Sequence, residues 1–88
     1  MSAEFDKEAK QEYLDAIRFY GKAAERFSEA LAACIQKIQE SPTRFRQIAP
    51  NIRTCRVEKF PYKLLFTLKE DRVYIIAVKP LLVSAAVM

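Results

Sequence analysis

Apolar residues recur every three or four positions over roughly the first forty residues and every second position after that, and this change of period divides the chain. Ala9, Tyr13, Ala16, Ile17 and Tyr20 share one side of a helix. Asp6 stands where an N-cap belongs, and neither Pro nor Gly interrupts residues 9–20. Gly21, the only glycine in the chain, stands where that helix must stop. Ala24, Phe27, Leu31, Cys34, Ile35 and Ile38 form the stripe of a second helix that begins near Lys22 or Ala23 and reaches Glu40. Ser41-Pro42 ends it, because the residue before proline is pushed out of helical geometry. So short a connection predicts an antiparallel helical hairpin.

Residues 43–51, with Pro42 just before them and Pro50 near their end, are expected to be loop. From Arg53 the alternation predicts strands over residues 54–60, 62–68 and 72–78, joined at Pro61 and at Lys69-Glu70-Asp71. Connections this short make the neighbours antiparallel. Tyr62, Leu64, Phe66 and Leu68 should line one face, with Lys63, Leu65 and Thr67 on the other. The last strand is apolar on both faces, as a central strand is. Residues 2–5 are a candidate for one further short strand. The expected architecture is α+β: one domain over residues 1–88, with a helical hairpin (about 6–40) on one face of a small antiparallel sheet (about 53–79) and an apolar tail (80–88).

Composition adds exclusions. At 51% hydrophobic and 30% charged the chain has the makings of a core. No run of about 18 apolar residues crosses a membrane, and the acidic, polar start is unlike a signal peptide, so a cytoplasmic location is expected. Histidine is absent, which removes the imidazole general base, and with only Cys34 and Cys55 no metal site or cofactor is expected. The two cysteines are expected to be small buried thiols, not bonded to each other. Charge is segregated. Residues 1–40 hold six Lys/Arg against eight Asp/Glu, a balance of −2, and residues 41–88 hold nine against three, a balance of +6. Such a basic half suits an anionic partner, nucleic acid or acidic protein.

Glu12-Tyr13-Leu14-Asp15-Ala16-Ile17-Arg18-Phe19-Tyr20 resembles the first-helix pattern of the RelE/ParE toxin superfamily. Ala24-Glu25-Arg26-Phe27, Ile35-Gln36-Lys37-Ile38 and Ser41-Pro42 are similar to its second helix and stop. Arg53, Arg56 and Phe60-Pro61-Tyr62-Lys63-Leu64-Leu65-Phe66 resemble its R-x-x-R-x-x-x-FPY-x-I-x-Y core, and Val73-Tyr74-Ile75-Ile76-Ala77-Val78 its last core strand. The resemblance spans about residues 3–79. It implies the toxin of a type II toxin–antitoxin (plasmid stabilization) pair, a growth inhibitor neutralised by a small cognate antitoxin with an acidic or amphipathic segment. The implied targets are DNA gyrase, for members that act by binding, or mRNA on the ribosome, for members that cut it without a metal. A third reading is an inactive member that only binds its antitoxin.

Arg44, Arg46, Arg53, Arg56, Lys59 and Lys63 are the candidate partner-binding residues, and Arg53, Arg56 and Lys63 the candidates for catalysis. Cations can stabilise charge developing on a scissile phosphate. The plainer roles are antitoxin contact for the arginines, solvated edge charge for Lys59 and Lys63, and core packing for Tyr62. After Lys79 the family's basic and aromatic ending is replaced by Pro80-Leu81-Leu82-Val83-Ser84-Ala85-Ala86-Val87-Met88, which carries no ionisable side chain. That departure predicts a poor ribonuclease. The same tail could pack on a second copy of the chain to give a homodimer.

Overall fold

The computed structural model describes residues 2–81. The apolar tail expected over residues 80–88 therefore lies, from Leu82 onward, outside the described residues. The elements are β1 (Ser2–Phe5), α1 (Lys7–Tyr20), α2 (Ala24–Glu40), β2 (Gln47–Ala49), β3 (Ile52–Val57), β4 (Tyr62–Lys69) and β5 (Arg72–Pro80), with short 3-10 turns at Gly21–Ala23 and Pro42–Arg44.

The helices follow the stripes. Asp6 is extended and its carboxylate accepts from the Glu8 N–H at 3.4 Å, the N-cap arrangement. Gly21 closes α1 with φ 51° and ψ −108°, and its N–H donates to the Ile17 carbonyl. That backbone geometry is close to the first central position of a type II′ turn, which glycine dominates. Ala9 and Ala16 from α1 are buried with Phe27, Leu31, Cys34 and Ile38 from α2. The helices touch each other through Tyr13 Oη and Ser28 Oγ, 2.9 Å apart.

The sheet differs from the expectation in two ways. It has five strands in the order β1-β5-β4-β3-β2, and it is mixed rather than antiparallel, because β1 pairs in parallel with β5 from Ser2↔Arg72 to Phe5↔Ile75. Parallel pairing needs a long crossover, and both helices and three strands lie between these partners. The segment expected to be loop contains β2, which pairs with the start of β3. Only three residues long and largely exposed, β2 carries no alternation to detect. The strand expected over residues 54–60 starts earlier and stops at Val57, where Lys59 turns the chain with φ 68°. The β4–β5 hairpin closes on Glu70 and Asp71, φ 51° and 62°, as a two-residue turn of the left-handed kind.

A bulge explains why β5 looks apolar on both faces. Leu65 pairs with Ala77 but Phe66 pairs with Ile75, so Ile76 is the extra residue. The slip lets Val73, Ile75 and Val78 all join Leu64 and Phe66 in the core under the helices. Every buried side chain among the described residues is hydrophobic. One polar atom is stranded: the half-buried Tyr20 keeps its hydroxyl oxygen from solvent with no hydrogen-bond partner. Burial, with Tyr62 nearby, pushes that hydroxyl's pKa up.

Replacing Gly21 by alanine should lower unfolding stability by about 1–2 kcal/mol through backbone strain alone. Nothing lies within 4 Å of the added Cβ, so no clash contributes. Tyr20→Phe should leave stability unchanged or raise it by up to about 1 kcal/mol, because it removes an unsatisfied hydroxyl. Urea denaturation at equilibrium measures both.

Candidate functional site

Strand pleat sorts the basic residues. Arg53 and Arg56 are three positions apart on β3 and so leave the strand on opposite faces. Arg53 donates to the carbonyls of Phe45 (2.7 Å) and Thr43 (3.2 Å). The Thr54 N–H reaches the Arg46 carbonyl at 3.0 Å, so the same segment is tied to β3 twice. The guanidinium of Arg53 is thus a clamp on the 43–46 segment, which sets where Arg44 and Arg46 stand. Arg56 is exposed, between buried Cys55 and Val57. Register puts Arg56 beside Lys63 and Lys63 beside Lys79, a row of cations on three neighbouring strands. Adjacent like charges repel, and the row is relieved at one end by Glu12, whose carboxylate pairs with Lys79 and accepts the Val78 N–H at 2.9 Å.

A cleft of about 390 Å³ opens between α2 and β3. Arg44, Arg56 and Lys59 reach its lining from three segments, and Lys37 of α2 joins them. The only acidic residue of the lining, Glu58, is paired with Lys37 at 3.2 Å. Both partners are largely exposed, so water weakens that pair and the cleft keeps a positive field. Its floor is apolar and sulfur-bearing: Ala30, Ala33 and Phe45 with Cys34 and Cys55.

Of the six candidate partner-binding residues, the cleft gathers Arg44, Arg56 and Lys59. Arg46 is exposed at the entry to β2, Lys63 is half-buried in the cross-strand row, and Arg53 is a clamp. Of the three candidates for catalysis, Arg53 leaves β3 on the face opposite to Arg56, which pairs in register with Lys63. Lys37 escaped sequence reasoning because a cation on a helix normally signals a solvated face. Its place one turn after Cys34 on the core stripe was the available signal. The arrangement can hold a carboxylate or phosphate. Among the described residues no three of His, Cys, Asp and Glu cluster as metal ligands would, and no helix is long and apolar enough to cross a membrane.

The family match over residues 3–80 places this mixed five-stranded sheet under two helices in the RelE/ParE toxin superfamily. Residues 3–80 match the family described as "ParE toxin of type II toxin-antitoxin system, parDE", and the chain belongs to that family. A sequence search of curated proteins gives no match. Among solved structures, one titled "Chromosomal ParDE TA system from P. aeruginosa" superposes with a TM-score of 0.78 at 16% identity, over 91% of this chain and 95% of that one. At that identity the likeness is one of fold.

Arg53→Ala should destabilise the protein by about 1–3 kcal/mol, because two backbone carbonyls lose a charged donor. Arg56→Ala, on the exposed side of the same strand, should change stability by less than about 0.5 kcal/mol. Equal thermal melts for the two variants would refute the clamp.

Proposed function

We propose that this chain is a type II toxin that arrests growth by binding its target, of the gyrase type, and that an antitoxin with an acidic, amphipathic segment neutralises it by occupying the cleft between α2 and β3. The observation that carries this reading is the gathering of Lys37, Arg44, Arg56 and Lys59 around one apolar-floored cleft whose single carboxylate is already paired. An apolar floor with a cationic rim matches a peptide that presents apolar anchors and flanking carboxylates. Family membership supports both the toxin role and the existence of an antitoxin.

Binding fits this chain better than RNA cleavage does. Cleavage needs a phosphate held and a proton moved at one point. The row of Arg56, Lys63 and Lys79 could hold phosphate, but Lys79 is engaged by Glu12 and Arg53 by carbonyls. Residues 82–88 carry no ionisable side chain. Losing a positioned acid or base costs about 10²–10⁴-fold in rate.

Expression of the chain alone should arrest growth, and the purified protein should inhibit supercoiling by gyrase while leaving ribosome-bound mRNA intact. Robust mRNA cleavage would overturn the binding reading. Charge reversal at both Arg44 and Arg56 to Glu should weaken the antitoxin complex by about tenfold or more, and the wild-type affinity should fall as salt rises. Affinity indifferent to both changes would remove the cleft as the binding surface.

A further inference from the structure

The two cysteines, expected to be small buried thiols not bonded to each other, are free, buried and adjacent. Cys34 Sγ from α2 and Cys55 Sγ from β3 lie 2.6 Å apart, with Cys34 donating to Cys55. They are the only cysteines in the chain, both are buried, and both line the floor of the cleft. A covalent S–S bond is about 2.05 Å long, so closing one asks for roughly half an ångström of movement.

We propose that Cys34 and Cys55 form a peroxide-sensing dithiol that closes to an intramolecular disulfide and fastens α2 to β3. The substrate class is hydrogen peroxide or another small hydroperoxide, which suits two sulfurs buried at the floor of the cleft. Cys55 is the attacking sulfur. The Cys34 hydrogen bond and the nearby Lys37 ammonium favour its thiolate and lower its pKa, while the same hydrogen bond and burial raise that of Cys34. The Cys55 thiolate attacks one peroxide oxygen. An S–O bond forms, the O–O bond breaks, and the departing hydroxide takes a proton to leave as water. The Cys34 sulfur then attacks the sulfur of the Cys55 sulfenic acid. The S–S bond forms, the S–O bond breaks, and hydroxide leaves with the Cys34 proton as a second water. Two thiols are oxidised by two electrons and one peroxide is reduced to two waters. Closure fixes the separation of α2 and β3, and with it the width of the cleft that carries Lys37, Arg44, Arg56 and Lys59.

The test uses the full reduced chain and hydrogen peroxide alone, followed by acid quenching, alkylation and mass spectrometry without reductant. Both thiols should disappear together as two hydrogens are lost. Proteolysis should give one Cys34–Cys55 linked peptide that a thiol reductant separates. The oxidised monomer should melt several degrees higher than the reduced one, as a cross-link over a loop of this length does. In Cys34→Ser, oxidation should stop at a sulfenic acid on Cys55 that dimedone captures. In Cys55→Ser, the peroxide reaction should slow by about tenfold or more, since the favoured thiolate is gone. Should either core variant fold poorly, the wild-type peptide map decides alone. Independent oxidation of the two sulfurs to sulfinic acid, disulfides only between chains, or thiols that survive excess peroxide would each overturn the proposal.

Discussion

Everything in this fold leans on the ring of Phe27. It is fully buried, and it meets Tyr20 at 4.9 Å and Tyr13 at 6.4 Å from α1, Phe60 at 5.2 Å from the β3–β4 turn, and Tyr62 at 5.2 Å from β4. One side chain thus joins both helices to the hairpin that ends at the cleft. In a domain of 88 residues the burial available is limited, so such a contact is a large share of the total. Tyr13 and Tyr20 stack on Phe27 while Phe60 and Tyr62 meet it edge-on, which fixes orientation as well as distance. The stranded Tyr20 hydroxyl is a cost of packing a tyrosine body where only its ring is wanted.

Because each helix has a single apolar stripe, the pair can cover only one sheet face, and the pleat then decides what every strand residue can do. That much was legible in the sequence. The stripes placed both helices, Gly21 marked their junction, and alternation assigned Leu64 and Phe66 to the core and Lys63 to the other side. The parallel β1 was not legible as such, since its partner lies some seventy residues away and no local pattern encodes pairing direction. Nor was the bulge at Ile76, where one extra apolar residue looks the same as an unbroken strand.

The site was legible in charge and not in geometry. Counting cations located the basic half, but Arg53 and Arg56 are identical in composition and opposite in role. One is spent on the Phe45 and Thr43 carbonyls, and the other stands exposed beside a cleft. Spacing of three on a strand already separates their faces. What sequence could not supply was the carbonyl trap that β2 and its turn build around Arg53, because those carbonyls belong to backbone that carries no side-chain signal. Lys37 shows the converse. Its helix position was known, and only the packing of α2 over β3 turns a surface lysine into the fourth cation of the cleft.

The sheet's edges bring these threads together. An edge strand exposes unpaired backbone groups that invite other chains to pair. Here β1 spans four residues and β2 three, so each runs out before the strand it covers. Side chains finish the work. On one side the Glu12 carboxylate takes the Val78 N–H just past the end of β1 pairing and pairs with Lys79 as well. On the other, past the end of β2, the Arg56 carbonyl has the sulfurs of Cys34 and Cys55 beside it, each at 3.7 Å. A carboxylate seals its edge strongly, whereas a thiol is a weak donor at long range. The softer edge is therefore the one beside the cleft, flanked by Arg44, Arg56 and Lys59.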